Sequence, residues 1–119
     1  KSIFKYFSDE ALGATINGIT CPLEDGSYKL CYSPEWEVQI YNTGVWRDLE
    51  LWKKLPKLEV PLLIIRGAES DTFFESTGRL VTKKLPSAKV VNIEKSTHLL
   101  PMEKPEAVKD EIQKFLSTL

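Results

Sequence analysis

The chain has 119 residues, 42% of them hydrophobic and 28% charged, with a formal net charge of -1. That is the make-up of one soluble globular domain or of a piece of a larger one, and its near-neutral balance argues against nucleic acid or an anionic membrane as the main partner. No apolar run approaches the roughly 18 residues of a membrane span, and no signal-peptide pattern opens the chain, so a cytoplasmic location is expected.

Lys1 leads straight into "IFKYF" with no capping residue, which reads as a piece of a longer chain. Ile3, Phe4, Phe7, Ala11 and Ala14 fall at three- and four-residue steps, predicting an amphipathic helix broken near Ser8-Asp9 and stopped at Asn17-Gly18. Asp25-Gly26 is a turn signal, followed by the alternation of a short strand over Tyr28, Leu30 and Tyr32. Cys21 and Cys31 flank that turn, close enough across a hairpin to meet. They are too few for a disulfide framework or a zinc site, and the expectation is two ordinary buried thiols. Ser33-Pro34 predicts a helix start. That helix carries Trp36, Ile40 and Tyr41 on one face, and a second short helix with Trp46, Leu49 and Trp52 is expected after Gly44, ending at Pro56.

The character changes at Val60. "VPLLIIRG" is a continuous apolar run closed by glycine, the pattern of a strand buried on both faces in a parallel sheet. Phe73, Leu80, Val81 and Leu85 give a helical stripe up to Pro86, and "AKVVNI" is a second buried strand. Val108, Ile112, Phe115, Leu116 and Leu119 form a strongly periodic helix, with Pro105 and the acidic Glu106 in its first turn. The second half is therefore a parallel βαβα unit.

Chemistry in open parallel sheets collects at the carboxyl ends of the strands. Asp71 follows the first strand in "RGAESD", and His98, the only histidine, follows the second in "EKSTH". One helix and one strand separate them, so both can emerge at the same sheet edge. A carboxylate there can fix the imidazole tautomer and leave the other ring nitrogen free as a base, with the two side chains within about 2.6–3.2 Å. Ser70 and Ser96, close by, read as loop hydroxyls because neither sits on a strand-to-helix elbow. The acidic pairs Asp9-Glu10 and Glu35/Glu37 lack a third ligand at metal spacing and read as solvated helix faces.

"VPLLIIRGAESD" followed by "STHLLPMEKPEAVKDEIQKFL" resembles the C-terminal end of an α/β-hydrolase, over roughly Leu55 to Leu119. The resemblance implies that Asp71 and His98 are the acid and histidine of a Ser-Asp-His triad, in the chain order Ser, Asp, His of this fold. It also implies that residues 56–119 form the last part of the hydrolase core, and residues 1–55 a mostly helical cap whose Trp36, Tyr41 and Trp46 line a substrate pocket. The implied reaction is hydrolysis of an ester or similar small substrate, with no cofactor and no metal. Two departures stand out. Thr97 occupies the place where the family usually has glycine before the histidine, and no G-x-S-x-G is present, so no nucleophile is encoded here. The expected partners are a small-molecule substrate and either the missing N-terminal half or a second copy of the chain. The rival reading is a non-catalytic module of the same fold that binds a small ligand or a protein.

Overall fold

The computed structural model describes residues 4–119, with the backbone alone for residues 45–48. Ile3 therefore lies outside the described residues. The first helix, α1, spans Asp9–Ile19. Ser8 caps it, its Oγ accepting from the Ala11 amide at 3.1 Å, so the expected break at Ser8-Asp9 is a helix start. Asn17-Gly18 does not stop it. The helix runs to Ile19, and Thr20 closes it by donating its hydroxyl to the Ile16 carbonyl at 2.7 Å.

Strands β1 (Thr20–Pro22) and β2 (Tyr28–Leu30) form an antiparallel hairpin. Its turn uses Gly26 at φ 82°, a conformation open to glycine, and Asp25, whose carboxylate accepts from the Ser27 amide at 2.9 Å and hydroxyl at 2.6 Å. Those bonds hold the Asp25 carboxyl below its usual range. The hairpin overturns the expectation of free thiols. Cys21 sits opposite Lys29, and Cys31 lies two residues further on, so both side chains fall diagonally on one face. Their Cα atoms are 5.4 Å apart and the sulfurs are joined in a disulfide. Such a bridge belongs to oxidising surroundings and lends no support to a cytoplasmic location.

Helix α2 runs unbroken over Pro34–Lys54, where the sequence suggested two short helices. A glycine costs about 1 kcal/mol relative to alanine in a helix interior, too little to divide so long an element at Gly44. A 3-10 turn, Leu55–Lys57, with Pro56 inside it, follows.

The second half is the expected βαβα unit. Strands β3 (Leu63–Gly67) and β4 (Lys89–Ile93) pair in parallel, with Leu63 opposite Lys89 and Gly67 opposite Ile93. Helix α3 (Glu75–Lys84) connects them, and α4 (Leu100–Glu103) and α5 (Pro105–Leu116) follow. The register shows which helix covers which face. Val90, beside Ile64, closely approaches Gly78 of α3. Lys89, beside Leu63, lies over the Phe115 ring of α5 and donates to Thr118, just past its end. The strand pair is thus sandwiched between α3 and α5, which is why its sequence is apolar on both faces. The core is Val81, Leu85 and Ala88, packed by Trp52, Leu55, Leu62, Ile64 and Phe73. Leu80, expected in this stripe, is exposed, as are Ile112, Leu116 and Leu119 of the last stripe.

Candidate functional site

Both candidate loops leave the same end of the sheet. The first follows Gly67 and carries Asp71. The Ala68 amide donates to the Ile93 carbonyl at 2.9 Å, and Ser70 closes a turn onto the Gly67 carbonyl at 3.1 Å. The Ser70 hydroxyl accepts from the Phe73 amide at 3.1 Å. Arg66, only 6% exposed, holds both ends of this loop. Its Nε donates to the Phe73 carbonyl at 3.0 Å, Nη2 to the Ala68 carbonyl at 3.3 Å, and Nη1 to Asn92 Oδ1 on β4 at 3.0 Å. A buried guanidinium needs such acceptors, and its planar fork reaches three of them from one strand position.

The second loop follows Ile93 and carries His98. Lys95 adopts φ 51°, a left-handed turn that costs a non-glycine residue on the order of 1 kcal/mol. The fully buried Ser96 donates its hydroxyl to the Ile93 carbonyl at 2.7 Å. Both Ser70 and Ser96 are thus loop hydroxyls with structural partners. The Glu103 carboxylate, 8% exposed, accepts from the Thr97 amide at 2.6 Å and from the Thr97 hydroxyl at 2.8 Å. That hydroxyl in turn accepts from the Leu99 amide at 3.2 Å. The two loops are stitched together by the Glu69 amide donating to the Ser96 carbonyl at 3.0 Å.

Asp71 and His98 themselves are exposed, and no hydrogen bond or ion pair joins them among the described residues. The loops are brought together, but the expected hydrogen bond between the two side chains is not made. An exposed carboxylate–imidazole pair gains little in water, so nothing compels the two side chains to meet without further groups around them.

The first half touches the acid loop and α4, the helix that follows the histidine loop. Lys5 and Tyr6 donate to the Glu69 carboxylate, in the Asp71 loop, and that bond raises the pKa of each. On the other side, Thr15 of α1 contacts the Met102 sulfur of α4 at 3.5 Å, where α1 and α4 border an open groove of about 620 Å3. Neither Asp71 nor His98 lines that groove. Trp36 and Tyr41 are each 70% exposed on α2, and Trp36 borders a separate hollow with Tyr32 and Ile40. No hydrogen bond or ring contact connects either aromatic to the two loops among the described residues. The Trp46 side chain lies outside the described part. Among the described residues no cluster of acids, cysteines and histidine is arranged to hold a metal, and no helix is long and apolar enough to cross a membrane.

No family model matches the chain. It is 30% identical over 76 residues to a Bacillus subtilis protein named for 2-succinyl-6-hydroxy-2,4-cyclohexadiene-1-carboxylate synthase, a match over 64% of this chain and 27% of that protein. Its structure superposes on E-2-(acetamidomethylene)succinate hydrolase over 96% of its length, with a TM-score of 0.79 at 20% identity. An esterase from Mycobacterium tuberculosis matches over 91% of the chain, with a TM-score of 0.69 at 17% identity. The fold is that of the α/β-hydrolases. The chain spans 41% of the succinate hydrolase and 35% of the mycobacterial esterase.

Within this α/β-hydrolase fold, the portion that the motif resemblance covered, roughly Leu55 to Leu119, holds β3, β4, their loops and the closing helix α5. The two buried charges behind the loops, Arg66 and Glu103, were not singled out as functional from the sequence. The available signal was an arginine closing the apolar run "LLII", where a charge is costly unless fully hydrogen-bonded. Glu103 gave only the E-x-P spacing before α5.

Proposed function

We propose that this chain is the acid- and histidine-bearing part of a hydrolase of the α/β-hydrolase fold. Asp71 and His98 serve a nucleophile supplied by a segment outside residues 1–119. In that reaction His98 takes the proton of the nucleophilic hydroxyl as it attacks a small ester, returns it to the leaving alcohol, and then activates water for deacylation. Asp71 orients the imidazole and balances its charge. Residues 1–55, tied to the acid loop through Glu69 and to α4 through Met102, act as a cap over the site, with Trp36 and Tyr41 as its substrate-facing aromatics.

The observation that carries this reading is the parallel register of β3 and β4. It brings the Asp71 and His98 loops to one sheet end, bridged by the bond from Glu69 to Ser96. That is where open parallel sheets carry their chemistry. The test is to express the chain together with its upstream coding sequence and to assay p-nitrophenyl esters. Two relatives are named for compounds carrying a succinyl or succinate unit, so a succinate half-ester joins the panel. His98→Ala is expected to lower kcat/KM about a thousandfold. The 119-residue chain by itself is expected to give no turnover, since it encodes neither a nucleophile elbow nor an oxyanion hole. Full activity of His98→Ala, or stoichiometric labelling of Ser70 or Ser96 by a fluorophosphonate, overturns the reading.

A further inference from the structure

We infer that Thr97 and Glu103 form a lock that makes Thr97 a positioning residue for His98; the inference rests on the reading of His98 as the base. Three observations meet here. Glu103 is buried, yet both of its carboxylate oxygens are used, one by the Thr97 amide at 2.6 Å and the other by the Thr97 hydroxyl at 2.8 Å. The same hydroxyl accepts from the Leu99 amide at 3.2 Å. His98 therefore stands between two residues whose backbone amides are both tied to one carboxylate–hydroxyl unit.

The chemistry explains why threonine stands where glycine is usual in the resembling motif. Glycine would keep the amide bond to Glu103 but would leave the Leu99 amide without its acceptor. Valine would keep the shape of threonine and lose the hydroxyl. Serine would keep both functions. Glu103 is fixed in turn by the short helix α4 and by Pro105, which starts α5 directly after Lys104. Charge-assisted bonds to a buried carboxylate are stronger than neutral ones, so this arrangement restricts the loop more than an ordinary turn does. Its effect on chemistry is indirect. It fixes the backbone on both sides of the imidazole, and so the range of directions in which His98 can point.

The test uses the chain joined to its upstream coding sequence, so that the edge of β3 is covered, and the His98 ring signals are assigned in NMR by their loss in His98→Ala. Wild type, Thr97→Val, Thr97→Gly, Thr97→Ser and Glu103→Gln are compared by amide hydrogen exchange and by the His98 ring cross-peaks. Thr97→Val and Thr97→Gly are expected to speed exchange at the Leu99 amide about tenfold and to shift or broaden the His98 signals. Glu103→Gln is expected to do the same at the Thr97 amide, and Thr97→Ser to restore the wild-type pattern. Wild-type His98 signals and Leu99 exchange in Thr97→Val overturn the lock. So does an equal acceleration throughout β3, β4 and α5, which marks a general folding contact instead. No turnover enters this measurement, so it is separate from the esterase assay: an intact lock with a fully active His98→Ala enzyme defeats the functional reading and leaves the lock standing.

Discussion

Gly67 and Thr97 lie so close that no side chain fits between them: a Cβ on Gly67 would sit 2.1 Å from the Thr97 carbonyl oxygen and 2.5 Å from that of Ser96. The obstacles are backbone atoms, which cannot swing aside as a flexible side chain can. Glycine at the end of β3 is thus what allows the histidine loop to fold over the neighbouring strand. Gly67→Ala is expected to destabilise the chain by about 3 kcal/mol, in the upper range of overpacking effects. Urea denaturation is the check. A shift within about 0.5 kcal/mol would mean that the loop yields freely and that the close approach does not constrain it.

Arg66 does for the acid loop what Glu103 does for the histidine loop. Removing the guanidinium leaves the Phe73 and Ala68 carbonyls and Asn92 Oδ1 without their donor. Part of that loss is offset, because a buried charge disappears with it. The net expectation for Arg66→Met is a loss of about 2–3 kcal/mol. Arg66→Lys should recover only part, since an ammonium cannot span three acceptors arranged around a planar fork. Equal stabilities for Lys and Arg at this position, by thermal or urea melts, would show that the fork geometry is not what matters.

The contrast between these residues explains what could be read in advance. The apolar run Leu62 to Ile65, the glycine that closes it, and the position of His98 after a second apolar strand are local signals, and β3, β4 and their loops came out in place. The continuity of α2 was missed because Gly44 looked like a boundary, whereas one glycine penalty is small against a long helix. The disulfide was missed because it depends on register: only when Cys21 lies opposite Lys29 does Cys31 fall diagonally beside it. Arg66 and Glu103 act through contacts with carbonyls, amides and hydroxyls that sequence spacing does not specify. Asp71 and His98 make no hydrogen bond to each other for a related reason, since both side chains remain in water.

The Cys21–Cys31 bridge closes a loop of sequence separation 10, and in the chain-entropy model such a loop contributes about 2–3 kcal/mol. Most of that should be felt within the hairpin, because its main contacts with another element run to α1. Reduction with a phosphine is expected to speed exchange of the Cys31 amide, which donates to the Ile19 carbonyl at 2.8 Å, by roughly 30- to 100-fold. The amides of β3 and β4 should stay within about twofold. Hydrogen exchange with mass detection resolves the two regions. If both accelerate together, the bridge supports the whole chain and the hairpin is not an independent unit.

The last expectation concerns what covers β3. Among the described residues the parallel sheet has two strands, so the far edge of β3 presents unpaired N–H and C=O groups. The surroundings are poorly closed as well: among the described residues the buried hydrophobic ones are Val81, Leu85, Ala88 and Leu100, while Val60, Leu80, Ile112 and Leu116 are exposed. The radius of gyration is 17.5 Å, against about 13.5 Å for a compact domain of this length. An edge of this kind pairs with whatever strand is available. By itself, the chain is expected to self-associate at micromolar concentration in light scattering. Co-expressed with its upstream coding segment, it is expected to form a one-to-one complex in which the β3 amides become protected from exchange. A monomer at every concentration, unfolding in one cooperative step, would show that the chain satisfies β3 from its own residues. The expectation that an upstream strand pairs along that edge would then fall.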